Sequence, residues 1–290
     1  MKLTNIYSAE GTVSLAAIEG DRALALAKLD RVEAAFTSVA QWLRGGDDVR
    51  HQTLRFLEQA RTQPHLWQLL DSIRYAHLVD RDCRIFCVGL NYADHAAENN
   101  LLPPASPVFF SKLASTATPH ESAVVLPQGS EQVDYEAEFA FMVGRQAKCV
   151  SAEDADAFIA GYTIMNDVSA RDMQFQDGQW FRGKNCDTFA PLGPWLVTAD
   201  EIEDPANLKL QMRLNDKVRQ NSNTSNLVFS PPALLSFLSQ SLTLEAGDII
   251  STGTPGGIGY YANPKVFLQP GDVMEVEIEK IGVLRNTVVR

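Results

Sequence analysis

Short alternating runs of apolar and polar residues open the chain. LTNIY, then TVSLAAI after Glu10-Gly11, then ALALAKL after Gly20-Asp21 predict a small β-meander over residues 1–30. From 31 to 78 the period changes to a helical one. Val32, Ala35, Phe36, Val39, Trp42 and Leu43 share one face, Gly45-Gly46 stops the run, and further helical stretches are expected at 54–60 and 66–73. At Arg84 the pattern turns strand-like with RIFCVGL and stays so to the C-terminus. Helices are expected as exceptions at 92–99, at 151–160 behind Ser151 as N-cap, and at 231–240, where Ser230 caps and Pro231 takes the first helical position. Asn215-Asp216 reads as a hairpin turn between LKLQMRL and KVRQ, and Gly282 marks another turn. The expected class is α+β, with a small α+β N-terminal domain over 1–78 and a strand-rich domain over 79–290.

The segment VDYEAEFAFMV (133–143) carries candidate chemistry. Strand alternation puts Val133, Tyr135, Ala137, Phe139, Phe141 and Val143 on one face and Asp134, Glu136 and Glu138 on the other. Same-face neighbours lie roughly 6.5–7 Å apart, close enough for two carboxylates to lean onto one cation. Hard oxygen donors select Mg²⁺, Mn²⁺ or Ca²⁺ over thiophilic metals. The spacing alone is equally that of a solvated face. Glu275, Glu277 and Glu279 repeat it in VMEVEIEKIG, where an exposed sheet edge is expected. Asp167 separates the two cases, because it follows the apolar run GYTIMN and precedes Arg171 and Gln174, supplying a third carboxylate.

Composition narrows the class of function. The 290 residues carry 25 Lys and Arg against 36 Asp and Glu, a net charge of −11, with the basic residues scattered. That excludes an extended phosphate-binding surface and leaves a small anionic substrate, whose charge a bound metal would meet. Four cysteines without a CxxC pair fit a reducing compartment. The opening MKLTNIYSAEGTVSL has no apolar run of signal-peptide length, and nowhere do about 18 apolar residues follow one another. No membrane or nucleic-acid partner is expected, and the expected setting is cytoplasmic.

Six segments together resemble the fumarylacetoacetate hydrolase family: VGLNYADHAAE (88–98), PVFFSK (107–112), VDYEAEFAFMVGR (133–145), GYTIMNDVSARDMQ (161–174), RGKNCDTFAPLGP (182–194) and LEAGDIISTGTPGGIG (244–259). The resemblance covers roughly 84–290 and implies mixed β-sheets. The first eighty residues resemble, more weakly, a small N-terminal domain found in bacterial members. It implies Mg²⁺ or Mn²⁺ on Glu136, Glu138 and Asp167, holding a 2-oxo acid beside Lys184. By the same resemblance Arg171, Gln174 and Thr254 contact substrate, and the chain forms a homodimer. Asn185 and Cys186 depart from the Ser and Phe common at those positions, which bears on pocket shape.

His95 and Glu98 stand three apart, so on one helical turn their side chains meet; a carboxylate on imidazole raises its basicity near neutral pH. The resemblance makes this pair a catalytic dyad on a lid. The reaction it implies is hydrolysis of a carbon–carbon bond in an acylpyruvate or 2,4-diketo acid, 2,4-diketo-3-deoxy sugar acids among the candidates, giving pyruvate and a second acid. The same enolate chemistry also serves oxaloacetate decarboxylation, or isomerisation or hydration of an unsaturated 2-oxo diacid. Readings from other classes are a non-catalytic binder of metal and 2-oxo acid, and a calcium-dependent interaction module.

Overall fold

The computed structural model describes residues 1–28, 36–98 (without the side chains of Ala96 and Ala97), 102 and 104–290, so Val32 and Ala35 of the expected helical face lie outside the described residues. The N-terminal alternation becomes β1 (Lys2–Tyr7), β2 (Val13–Glu19) and β3 (Arg22–Ala25), paired antiparallel in sequence order. Leu3, Leu15, Ala17 and Leu24 pack with α1 (Val39–Arg44) and α2 (Gly46–Arg61) through Val39, Trp42 and Leu57. Ser38 caps α1 by accepting from the Gln41 amide at 3.2 Å, and the Trp42 indole donates to Thr53 on α2 at 2.8 Å.

The helix expected over 66–73 does not form. Short 3₁₀ turns there flank β4 (Gln68–Leu69) and β5 (Arg74–Tyr75), which pair with β3 and β1. Open backbone on β3 and on Ile6–Tyr7 of β1 offers partners here, and that tertiary pairing overrides the helical preference of Leu66, Gln68, Leu69 and Leu70.

The remaining elements follow in order: β6 (Ile85–Gly89), α3 (Ala93–Glu98), β7 (Val108–Lys112), β8 (Ala117–Thr118), β9 (Ala123–Val125), β10 (Val133–Asp134), β11 (Ala137–Val143), β12 (Ile159–Asn166), β13 (Ser169–Ala170), α4 (Arg171–Gln176), α5 (Phe181–Lys184), β14 (Ala190–Thr198), β15 (Lys209–Leu214), β16 (Lys217–Asn223), α6 (Pro231–Ser241), β17 (Ile249–Ser251), β18 (Val273–Ile278) and β19 (Gly282–Val289). One large sheet runs β4-β3-β2-β1-β14-β12-β11-β17-β6-β7, and a second runs β16-β15-β18-β19-β9. β6 and β17 pair parallel while their neighbours pair antiparallel, so the sheets are mixed and the class is α+β. Because β1 pairs directly with β14, the large sheet and its core continue across residue 78.

Burial of β11 is complete along its length. Phe139, Phe141 and Val143 enter the core shared with the second sheet, while Ala140 and Met142 enter the core shared with α1 and α2. Glu138 lies on the Ala140 face by alternation, so the acid face is the polar end of an otherwise apolar one. The expected helix over 151–160 shrinks to a 3₁₀ turn at 155–158. Ser151 Oγ accepts from the Asp154 amide at 3.2 Å, but Ile159 is already paired with Val143 in the sheet.

Asn215 and Asp216 have φ of 50° and 62°, the left-handed pair of a two-residue hairpin. Helix α6 begins at Pro231 as expected, although Ser230 contributes only its carbonyl, which accepts from Leu234 at 3.0 Å. Glu275 and Glu277 lie on β18, a central strand between β15 and β19 rather than the expected edge. Their solvent-facing side is held by Arg213, 3.1 Å from Glu275 and 2.6 Å from Glu277.

Candidate metal centre and active site

Antiparallel register assembles the acids. Ala137 pairs with Asn166, which puts the residues just outside the ladder, Glu136 and Asp167, side by side; the Asp167 amide donates to the Glu136 carbonyl at 2.8 Å. Glu138 is the second residue of β11. One oxygen from each of Glu136, Glu138 and Asp167 lies within 4.8 Å of the others, and all three residues are buried. Ser251, at the end of β17, donates to Glu138 Oε2 at 2.5 Å, and the Gly253 amide donates to the same oxygen at 3.2 Å.

Three buried cations face these acids. Lys184 Nζ donates to Glu136 Oε2 at 2.8 Å and to Asp167 Oδ2 at 2.6 Å. Lys112 Nζ takes the other Asp167 oxygen at 2.5 Å and the Val168 carbonyl at 3.0 Å. Arg171 Nη2 lies 2.6 Å from Glu136 and 2.8 Å from Asp134, while its Nη1 donates to Gln174 at 3.0 Å. Gly183 lets α5 carry Lys184 this close, since a Cβ there would stand 2.6 Å from the Gln174 nitrogen and 2.7 Å from the Ala170 oxygen.

Burial pushes the Glu138 carboxyl well above the usual range, and repulsion from Asp167 and Glu136 adds to it. Burial acts on Glu136 in the same direction, but Lys184 and Arg171 outweigh it and hold that carboxyl below its ordinary value. The cluster is therefore short of positive charge beside Glu138 in particular. Three buried hard oxygen donors with that shortage fit a hard divalent cation.

The helical turn α3 brings His95 Nδ1 to 3.5 Å from Glu98 Oε2. Glu98 accepts from the Gly257 amide at 3.2 and 3.1 Å, and Ser222 donates to Asp94 at 2.5 Å, tying α3 to the Gly-Thr-Pro loop and to β16. His95 looks onto a pocket of about 100 Å³ that Glu136, Glu138, Arg171, Gln174, Lys184 and Thr254 also line. Every residue expected at the site thus gathers in one place, Glu98 and Asp167 behind the lining.

Sequence reasoning passed over two residues, and the structure gives others contacts that the sequence did not foretell. Lys112 sat in the quoted PVFFSK segment without a role, although a lysine ending an apolar strand was a signal. Gln220 gave none; its Oε1 accepts from the Ala137 amide at 2.9 Å and its Nε2 donates to Thr254 Oγ1 at 2.8 Å. Thr254 donates its hydroxyl to the Ala137 carbonyl at 2.9 Å, so that hydroxyl proton is already committed. Asp134, counted among the strand acids, anchors Arg171 and accepts from the Gly259 and Tyr260 amides at 2.8 and 3.0 Å. Asn185 and Cys186 are absent from the pocket lining among the described residues. Asn185 braces α5 against β7, accepting from Leu113 at 2.7 Å and donating to Ser111 at 3.1 Å.

Among the described residues no helix is long and apolar enough to cross a membrane. Comparison with known proteins gives many likenesses, three of which illustrate them. The chain is 47% identical over 212 residues, 73% of its length and 68% of the relative's, to a protein of Rattus norvegicus named oxaloacetate tautomerase Fahd2a, mitochondrial. Its fold matches a fumarylacetoacetate hydrolase from Exiguobacterium antarcticum with a TM-score of 0.85 at 32% identity, covering 100% of this chain and 99% of that one. It matches a maleylpyruvate hydrolase from Sphingobium sp. SYK-6 with a TM-score of 0.82 at 28% identity and the same coverage. The mitochondrial label of the rat protein differs from the cytoplasmic setting expected for this chain. Residues 84–289 match the model of the fumarylacetoacetate hydrolase C-terminal domain, and the chain belongs to the fumarylacetoacetate hydrolase family.

Proposed function

We propose that this chain is a divalent-metal enzyme that moves a proton at the carbon beside the 2-oxo group of a small 2-oxo acid, with keto–enol tautomerisation of oxaloacetate as its reaction. The observation that carries the reading is the 47% identity over 212 residues to a protein named for that reaction. The pocket agrees, since about 100 Å³ is far below the roughly 300–1,000 Å³ of sites for drug-sized ligands.

Mg²⁺ or Mn²⁺ held by Glu136, Glu138 and Asp167 would polarise the 2-oxo oxygen. Lys184, fixed between Glu136 and Asp167, meets the negative charge that grows on that oxygen. His95, with Glu98 at Nδ1, removes a proton from C3, and a proton is delivered to the oxygen to give the enol. The C3–H bond and the π bond of the 2-oxo group give way to a C2=C3 double bond and an O–H, no carbon–carbon bond breaks and no water is consumed. Arg171 and Gln174 supply a guanidinium and an amide for the substrate carboxylate.

A second reading keeps the hydrolysis expected from the sequence, now favoured by the placement of the His95–Glu98 pair over the pocket and by the full-length likeness to a maleylpyruvate hydrolase. There His95 deprotonates water, which attacks the C4 carbonyl; the C3–C4 bond breaks and pyruvate leaves. Stopped-flow absorbance of the oxaloacetate enol, run beside a coupled assay for pyruvate, separates the cases. Tautomerisation predicts faster enol decay with Mg²⁺ or Mn²⁺ and no pyruvate. Pyruvate from an acylpyruvate supports hydrolysis, pyruvate from oxaloacetate supports decarboxylation, and no response to any of them removes the functional reading.

A further inference from the structure

We propose that Trp180 is a partition that sets how long a 2-oxo acid this site accepts, an inference that rests on the 2-oxo acid reading above. Two depressions meet at this side chain. One is the pocket of about 100 Å³ over the carboxylates; the other is an open groove of about 390 Å³ along β7, lined by Val108, Phe109, Ser111, Gly178 and Phe181. Trp180 and Phe110 line both. Their rings meet edge to face, with centroids 5.3 Å apart and planes at 76°, and so form one continuous wall.

The wall is seated by a missing side chain. At Gly89, where β6 ends, a Cβ would lie 2.8 Å from Cζ3 and 2.9 Å from Cη2 of the indole, so any side chain there would displace the ring from its seat. The wall is also tied to the chemistry. Trp180 immediately precedes α5, and its carbonyl accepts from the Lys184 amide at 3.0 Å, so one short helix places both the ammonium and the indole. Beyond the wall the groove is mixed: Val108, 42% exposed, and Phe181, 54% exposed, offer apolar surface beside the polar Ser111 and Gln179. The geometry therefore admits short 2-oxo acids, and it would admit an unbranched apolar tail into the groove once the indole is gone.

The test is calorimetric titration of the full chain, saturated with Mn²⁺, with oxalate, 2-oxobutyrate and 2-oxooctanoate. Oxalate reports the head-group site alone, because it carries adjacent carboxyl oxygens and no tail. The parent protein should prefer 2-oxobutyrate over 2-oxooctanoate by at least about tenfold, as steric discrimination in a closed pocket allows. Trp180→Ala should erase or invert that preference while oxalate binding persists, with Trp180→Phe in between. Trp180→Val gives the same readout if the alanine variant does not fold. An unchanged chain-length preference with oxalate binding intact overturns the partition. Failure of the parent to bind either oxalate or 2-oxobutyrate overturns the 2-oxo acid reading itself, and the partition with it.

Discussion

Replacing Ser251 with alanine tests whether the carboxylate cluster is a metal site tuned from behind. The hydroxyl donates to Glu138 Oε2 at 2.5 Å from a position with no solvent exposure, so no water takes its place. A hydrogen bond to a charged group contributes roughly 1.5–3 kcal/mol net, which at about 1.4 kcal/mol per decade is roughly 10–100-fold in metal affinity. The Gly253 amide remains on the same oxygen at 3.2 Å, which places the expected loss near the lower end, about tenfold. Mn²⁺ titrated calorimetrically into the parent and Ser251→Ala, with circular dichroism to show that both are folded, measures it directly. Equal affinity in the two proteins would refute the claim that Glu138 reaches the ion in the orientation Ser251 imposes.

Three other outcomes follow from the same geometry. Glu138→Ala abolishes Mn²⁺ binding in titration while Glu277→Ala leaves it intact, because Glu277 is half exposed and already paired with Arg213; equal loss in both removes the choice between the two ExE strands. Lys112→Met strips a fully buried cation from Asp167 and should cost about 3 kcal/mol in denaturant melts with chelator present, most of it recovered with saturating Mn²⁺; equal cost under both conditions counts against charge compensation. His120 is pushed down to about 4 by burial, with Arg285 adding to it, so the unfolded chain takes up a proton that the folded one refuses. Its contribution is therefore complete above the ordinary value of 6.5 and is lost as pH falls from there towards about 4, by up to about 3 kcal/mol. His120→Gln should flatten that acid limb of the stability profile, and an unchanged slope tells against the assignment.

Local pattern carried much of the fold. The meander, the Gly45-Gly46 break, the Asn215-Asp216 hairpin and the proline start at 231 each depend on a residue's own backbone preference or on short-range alternation, and each appears where expected. Residues 66–73 and 151–160 went the other way, because their conformation is decided by which sheet edge stands beside them. The acid strand shows the same division. Alternation placed Asp134, Glu136 and Glu138 together, local context singled out Asp167, helical spacing paired His95 with Glu98, and motif resemblance gave Lys184 its place; all of them converge.

Sequence by itself determined the chemistry on offer: hard carboxylates, a lysine, and an imidazole one helical turn from a glutamate. Only the tertiary structure decided how that chemistry is shared out. The register of β11 against β12 sets Glu136 beside Asp167, and Asp134 turns away to hold Arg171. Contacts across 55 residues bring Lys112 to Asp167, and across 113 bring Ser251 to Glu138. Distances of that kind are fixed by strand order and register, which depend on how whole faces are buried rather than on any neighbouring residue.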